Sequence, residues 1–151
     1  VGWFVGLYIA EGSQSDGTIQ ITGHAEDDAR WQRLSTLVPR YDGHLAKHNT
    51  GGQACTININ SPVLLGIINV YVSGRTAHDK HLAVRCWARS DRFLRSVLDG
   101  YLAGDGHWTG ERWRLGFCNN DNLAADLPAC WSSRRATLDS LGSQLWISQG
   151  P

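Results

Sequence analysis

Two acidic residues, Glu11 and Asp105, occupy the same local setting at distant points of the chain. Each follows a run of small and apolar residues with helical spacing and precedes a glycine, so each is predicted to end a helix. A carboxylate there faces the negative end of the helix dipole, and two neighbouring carboxylates also repel each other. A divalent cation such as Mg²⁺, which prefers oxygen ligands, relieves both costs. Two carboxylates that hold Mg²⁺ against a phosphodiester are typical of metal-assisted phosphate hydrolysis.

The settings of the two acids form a near-repeat. Residues 6–12 read GLYIAEG, and residues 100–106 read GYLAGDG, 94 positions later. Strand-like and helix-like segments follow both motifs in the same order. This order indicates one supersecondary unit used twice, which sets the architecture of the chain.

Each motif helix carries small residues four positions apart. They are Gly6 and Ala10 in the first motif and Gly100 and Gly104 in the second. A glycine inside a helix costs about 1 kcal/mol relative to alanine, so it usually has a packing reason. We therefore predict that the two helices pack on each other through these four residues, across a pseudo-twofold axis. That packing would bring the two acids together.

The hydrophobic pattern predicts the elements that position these residues. In the first half we expect a helix at 2–11, strands at 13–16 and 17–24, a helix at 27–38, strands at 43–49 and 53–60 and a helix at 61–72. Gly12 is expected to close the first helix in the left-handed conformation. Ser61 and Pro62 are a typical N-cap and first position of a helix.

The second half begins in the same way but is shorter. We expect a helix at 92–104, strands at 107–110 and 112–118 and a helix near 123–131. One strand and one helix of the first unit have no counterpart, so we expect strand 112–118 in a smaller sheet with an unpaired edge or an exposed apolar strip near 141–147. The predicted division is a first repeat at 1–74, a basic linker at 75–91 and a shortened second repeat at 92–151, in one two-lobed domain.

The predicted strands alternate between polar and apolar side chains. A sheet that reads DNA needs one face of hydrogen-bonding side chains without carboxylates, and Asn, Gln and Arg suit base edges. We therefore predict a DNA-binding face from the polar residues of these strands: Thr18, Gln20, Thr22, His24, His44, His48, Thr56, Asn58, Asn60, Arg112 and Arg114.

Composition excludes several classes of protein. The 151 residues are 42% hydrophobic and 19% charged, which is typical of a folded domain. The 14 basic and 14 acidic residues balance, so net charge favours no partner, and only the segment 75–95 is locally basic. The four cysteines form no C-x-x-C pair and indicate buried thiols in a reducing, cytoplasmic compartment. No Met occurs, so we interpret the sequence as a fragment of a longer product.

The segments FVGLYIAEG (4–12) and LDGYLAGDG (98–106) resemble the paired motifs of the LAGLIDADG homing endonucleases. The resemblance covers essentially the whole chain and is closest to the endonuclease domains found inside inteins. It implies an α+β fold built from two αββαββα units with antiparallel DNA-binding sheets. It also implies site-specific cleavage of double-stranded DNA with Mg²⁺ or Mn²⁺, by a monomer whose internal duplication replaces a dimer.

The resemblance also implies roles for individual residues. Glu11 and Asp105 would be the catalytic metal ligands, assisted by the main-chain oxygens of Ala10 and Gly104. Lys80 would be a catalytic basic residue near the scissile phosphate, and the alternative is a surface lysine of the linker.

Three alternatives to a complete endonuclease stay open at this stage. The first is a non-cleaving relative, an RNA maturase or a DNA-binding regulator on the same scaffold. The second is a protein-splicing element, which the absence of a terminal Cys or Ser nucleophile and of a terminal His-Asn disfavours. The third is a chain that folds but is compromised by its shortened second repeat, so that it self-associates through the second lobe or cleaves DNA weakly or on one strand only.

Overall fold

The computed structural model describes residues 1–110, 112–117, 119–135 and 144–149. The first repeat contains α1 (Gly2–Glu11), β1 (Gly12–Ser15), β2 (Thr18–His24), α2 (Asp28–Leu37), a 3-10 turn (Val38–Tyr41), β3 (His44–Gly51), β4 (Ala54–Asn60) and α3 (Pro62–Tyr71). This order is the predicted αββαββα unit. Ser61 caps α3 as expected, because its hydroxyl accepts a hydrogen bond from the Leu64 amide at 3.1 Å.

The four strands of the first repeat form an antiparallel sheet in the order β1-β2-β4-β3. Ile19 pairs with Ile59 and Ile21 with Ile57, and all four side chains are buried. Because side chains alternate along a strand, the residues between them face away from the core. These residues form the outer face of the sheet.

The segment predicted as a linker is folded. It contains the short strand β6 (His81–Leu82), which pairs in an antiparallel hairpin with β5 (Val72–Ser73) just before the segment, and a single helical turn, α4 (Val84–Trp87). Leu82 and Cys86 are buried in the common core. The connection between the repeats is thus part of the core and fixes the position of Lys80, which precedes β6.

The second repeat contains α5 (Asp91–Asp105), β7 (Gly106–Trp108), β8 (Arg112–Phe117), α6 (Asp121–Arg135) and β9 (Gln144–Gln149). β7 pairs with β8 in antiparallel orientation and β9 pairs with β8 in parallel orientation. The prediction of an unpaired edge at strand 112–118 is therefore wrong, because β9 covers that side. Cys118 and residues 141–143 of the predicted apolar strip lie outside the described residues.

The parallel pairing of β9 follows from strand direction. In the first repeat β3 runs in the same direction as β2, and β4 lies between them. β9 is the third strand of the second repeat, as β3 is of the first. β9 runs in the same direction relative to β8 as β3 does relative to β2. In the first repeat, β4 lies between β2 and β3, whereas in the second repeat β9 lies directly beside β8. Two neighbouring strands that run in the same direction pair in parallel.

The paired helices α1 and α5 join the repeats into one core. α1 is buried along nearly its whole length and is flanked by α5 and the inner face of the first sheet. Leu123, Leu127 and Cys130 of α6 complete the core on the side of the second repeat. Within the described part of the chain, no helix has the length and apolarity needed to cross a membrane.

Candidate active site

The helices α1 and α5 cross at two glycines. A Cβ atom placed on Gly6 would lie 1.8 Å from the main-chain oxygen of Val97, and one on Gly100 would lie 1.9 Å from that of Trp3. Real Cβ atoms do not approach backbone this closely, so only glycine permits this separation of the two helices. The small residues that the sequence places on one face of each helix thus lie at the helix crossing.

The same contact continues to the ends of the helices. A Cβ atom on Gly104 would lie 2.5 Å from the Cβ of Ala10 and 2.9 Å from the Cγ of Glu11. The end of α5 therefore lies directly against the end of α1. Glu11 and Asp105 are the last residues of these helices, and both are partly buried. The two acids face the same end of the helix pair.

Both helices pass directly into strands, and this corrects the predicted cap at Gly12. Gly12 has φ −91° and ψ 152°, an extended conformation, and its amide donates to the main-chain oxygen of Tyr8. A Cβ atom there would lie 2.2 Å from the Tyr8 ring. Gly106 is extended in the same way at the end of α5. Glycine is required at Gly12 for close approach to the preceding turn rather than for a left-handed backbone.

Electrostatics couple the two acids. Burial raises the pKa of the Asp105 carboxyl to about 6, and the negative charge of Glu11 contributes to the shift. Burial also raises the pKa of Glu11, while the positive charges of Arg30 and Lys80 oppose the shift. A carboxyl that resists ionisation beside another carboxylate lacks sufficient positive charge around it. Additional positive charge at this point would stabilise both ionised acids.

The donor set at this point fits a hard divalent cation. Mg²⁺ is typically bound by one or two carboxylates and completes its coordination with water and substrate phosphate. Glu11 and Asp105 supply two carboxylates, and the adjacent main-chain oxygens of Ala10 and Gly104 supply further hard donors. In the described part of the chain, no three His, Cys, Asp or Glu side chains are arranged so that they could hold a metal ion. Two carboxylates with main-chain oxygens match a site whose remaining ligands are water and substrate.

Lys80 lies beside the acids and is 3% exposed. Its ammonium donates to the main-chain oxygens of Tyr8 at 3.1 Å and Gly12 at 2.7 Å, so it satisfies carbonyls at the end of α1. Burial lowers the pKa of Lys80, and the charges of Asp105 and Glu11 oppose that shift. Lys80 is therefore a buried cation near both acids and not a surface lysine.

A second cation, Arg30 of α2, was not anticipated from the sequence. Its Nη2 donates to the main-chain oxygen of Ala103 at 2.8 Å, and its Nη1 donates to that of Thr22 at 3.1 Å. Nη1 also lies 3.9 Å from Glu11 Oε1, and Nε lies 2.9 Å from Asp27 Oδ2. Arg30 thus links the end of α5, β2 and one of the two acids. Only tertiary packing brings it there, because its spacing from Glu11 matches no local motif.

The predicted DNA-facing residues of the first repeat share the outer face of its sheet. The register pairs Gln20 with Asn58, and it pairs Thr56 with both Thr22 and His48. The remaining predicted residues on this outer face are Thr18, His24, His44 and Asn60. Every side chain that these four strands direct to this face is uncharged or a histidine, so carboxylates are absent from it.

Several of these side chains already interact with each other. Thr18 donates to Asn60 Oδ1 at 2.9 Å, and His24 Nε2 lies 3.1 Å from Gln53 Oε1. Within the described residues, the Oδ1 atom of Asn58 is buried and has no hydrogen-bond partner. An unsatisfied acceptor in the central strands of this face is costly unless a ligand supplies a donor.

The second repeat supplies the positive charge that the first sheet lacks. Arg114 is exposed in β8 and lies opposite His107 of β7. Leu115, the next residue in β8, is buried, so Arg114 is on the outer face of the smaller sheet. Arg112 lies in the same strand, but its side chain is outside the described ones.

Known proteins resemble this chain in fold. A variant of I-DmoI, solved with its target DNA in the presence of 2 mM Mn, superposes with a TM-score of 0.59 and 15% identity, over 87% of this chain and 72% of that chain. I-DmoI solved with DNA and Ca superposes with a TM-score of 0.56 and 14% identity, over 87% of this chain and 69% of that chain.

One curated protein is similar in sequence. The chain is 23% identical over 128 residues to the DNA-directed RNA polymerase subunit Rpo1C of Methanocaldococcus jannaschii. The matched region covers 83% of this chain and 14% of that protein. The likeness therefore concerns a small part of that subunit. No protein-family model matches the sequence. The helix pair, the repeated units and the superposition on I-DmoI agree, and the chain has the fold of the LAGLIDADG homing endonucleases.

Proposed function

We propose that this chain is a site-specific double-strand DNA endonuclease. The observation that carries the proposal is that Glu11 and Asp105 lie together at the ends of two crossing helices. A positive charge bound there would stabilise both ionised carboxylates, since the charge of Glu11 contributes to the raised pKa of Asp105. Two partly buried, mutually repelling carboxylates destabilise a fold, so their presence at equivalent points of both repeats favours a catalytic role. Structures of I-DmoI with target DNA support DNA as the substrate class.

The site residues have distinct proposed roles. Glu11 and Asp105 hold Mg²⁺ or Mn²⁺ with the main-chain oxygens of Ala10 and Gly104, and the bound ion supplies Lewis acidity and a more acidic water. Lys80 places a fixed positive charge beside the acids, where it stabilises the negative charge that develops on a phosphate under attack. Arg30 holds the end of α5, and its positive charge opposes the upward shift that burial causes in the pKa of Glu11.

The two sheets are proposed to read sequence in different ways. The first sheet offers Gln and Asn side chains, which suit adenine edges, and it has no Lys or Arg on its outer face. Its contribution is therefore base contact rather than phosphate attraction. Arg112 and Arg114 of the second sheet suit guanine or phosphate. We propose that one monomer, acting inside the cell, binds both half-sites, as an intein-type or intron-type homing endonuclease would.

A cleavage selection tests the function. The chain is incubated with a plasmid library that carries random targets, with and without 5 to 10 mM Mg²⁺, and linearised plasmids are sequenced (concentrations on the order typical for weak Mg²⁺ sites). We expect Mg²⁺-dependent linearisation at one family of related sites, which is lost in Glu11→Gln. Binding of DNA without cleavage under all metal conditions would instead favour a non-cleaving nucleic-acid-binding protein on this scaffold.

A further inference from the structure

Lys80 lies at the end of a turn that is fixed by its own hydrogen bonds. Oδ1 of Asp79 accepts from the amides of Arg75 at 3.0 Å and Thr76 at 2.6 Å, and from the Thr76 hydroxyl at 2.7 Å. Gly74 has φ +79°, and a Cβ atom there would lie 2.1 Å from the main-chain oxygen of Asp79. These contacts give the turn its shape. They do not by themselves place it against the end of α1.

Asn120 of the second repeat supplies contacts that do. This residue is 1% exposed and precedes α6. Its Oδ1 accepts from the Leu123 amide at 3.1 Å and thereby caps the helix. Its Nδ2 donates to the main-chain oxygen of Lys80 at 2.8 Å and to that of Ala77 at 3.1 Å. Ser, Thr or Asp would cap α6 equally well, but only an amide side chain also provides these donors.

A second residue, Asp126 of α6, binds the main chain just after Lys80 in the sequence. Oδ2 of Asp126 accepts from the Leu82 amide at 2.9 Å, and the Leu82 side chain is buried in the common core. Asn120 and Asp126 therefore contact the chain before, at and after Lys80. The helix that carries them belongs to the second repeat, whereas Lys80 contacts the end of the helix that begins the first repeat.

We propose that Asn120 and Asp126 are positioning residues that hold Lys80 at the catalytic acids, so that docking of the second repeat's α6 sets the geometry of the lysine. The catalytic part of this inference rests on the proposed nuclease function, whereas the positioning part does not. It follows that removing the Asn120 and Asp126 contacts displaces the lysine, while the hydrophobic packing of α6 in the common core keeps the end of α5 and Asp105 in place.

Acetylation of lysines tests the positioning without any DNA. The chain has only two lysines, Lys47 and Lys80, so Lys47 is an internal reference within each molecule. Asn120→Ser keeps an N-cap oxygen and removes the Nδ2 donors, and Asn120→Asp does the same. Asn122→Ser is the matched control, because Asn122 is exposed in the same helix. Circular dichroism verifies that each variant is folded at the labelling temperature.

We expect Lys80 to be acetylated about tenfold faster relative to Lys47 in both Asn120 variants, the order expected when hydrogen bonds of ordinary strength are lost. Asn122→Ser should leave the ratio unchanged. An unchanged ratio in folded Asn120→Ser and Asn120→Asp would overturn the proposal, as would an equal increase in the control.

Cleavage kinetics on the selected target give the second readout. We expect Asn120→Ser to lower kcat about tenfold with KM for DNA unchanged, because a displaced lysine affects the chemical step and not the reading faces. A raised labelling ratio with unchanged kcat would support the positioning and contradict the role assigned to Lys80. If the wild-type chain cuts no DNA, the nuclease function fails, while the labelling ratio still decides whether α6 holds Lys80.

Discussion

The Arg30 guanidinium donates from Nη2 to the main-chain oxygen of Ala103 at 2.8 Å, which connects the first repeat to the last turn of α5. Lys80 binds the last turn of α1 in the corresponding way. The last turn of each motif helix thus carries a carboxylate and also binds a positively charged side chain from another element. These cations offset the unfavourable position of Glu11 and Asp105 at the negative ends of the helix dipoles.

Replacement of Arg30 by Gln should lower the free energy of unfolding by about 1–3 kcal/mol, because two main-chain oxygens lose a charged donor. Arg30→Lys should recover only part of this, since one ammonium cannot reproduce the planar fork that reaches Thr22 and Ala103. Urea denaturation in metal-free buffer measures the change. Arg33→Gln, one turn away and stacked on Trp3, is the control and should cost less than about 1 kcal/mol. Equal losses for both arginines would contradict the assigned contacts.

Glu11→Gln and Asp105→Asn should each lower cleavage at least about 100-fold while DNA binding stays the same or becomes tighter. Each change keeps the shape of the side chain and removes a charge that repels phosphate. Cleavage of the selected target and a filter-binding assay with the same DNA measure the two properties. Asp42→Asn, outside the site, should change neither. Parallel loss of binding and cleavage would assign the acids a structural role.

The Asp105 carboxyl should make the metal-free protein less stable as pH rises. Its pKa is about 6 in the folded chain, above the usual value of 3.8, so the folded state binds the proton more tightly than the unfolded state does. Its contribution to stability is therefore complete below pH 3.8 and is lost as pH rises through about 6. Partial solvent exposure reduces the effect to about 1–2 kcal/mol.

Asp105→Asn should accordingly be more stable than the wild-type chain at pH 7 and equally stable near pH 4, in urea titrations with chelator present. Added Mg²⁺ should stabilise the wild-type chain and not the variant at pH 7. A stability difference of the same size at both pH values would show that the charge of Asp105 is not its cause.

Gly6→Ala and Gly100→Ala should each destabilise the fold by about 3 kcal/mol or more, because the new methyl group meets backbone that cannot retreat. Gly66→Ala is the matched control. Gly66 lies in α3 with nothing within 4 Å of its Cβ position, so alanine there should stabilise the helix by about 0.5–1 kcal/mol. Thermal melts of the three variants measure the difference. Similar effects at all three glycines would contradict close packing at the helix crossing.

The sequence predicted what depends on local pattern. α1 runs from Gly2 to Glu11 as expected, because an apolar run ends at a glycine there, and the alternation in β2 and β4 identified both faces of the first sheet. The predicted left-handed conformation of Gly12 was wrong, because the rules for helix caps do not cover a helix that continues directly into a strand. The burial of Lys80 and the contact of Arg30 with the end of α5 depend on how distant elements pack. The residues near them in the sequence do not predict either feature.

The crossing of α1 and α5 at Gly6 and Gly100 lies close to the two acids. Glu11 and Asp105 lie only five residues beyond it, about 7.5 Å along each helix axis. A rotation of one repeat against the other by about 10° would therefore move an acid by only about 1.3 Å, whereas a strand end about 25 Å away would sweep more than about 4 Å. If the chain binds DNA as proposed, a rotation of this size would fit the two sheets to the curvature of the duplex while the spacing between Glu11 and Asp105 stays nearly constant.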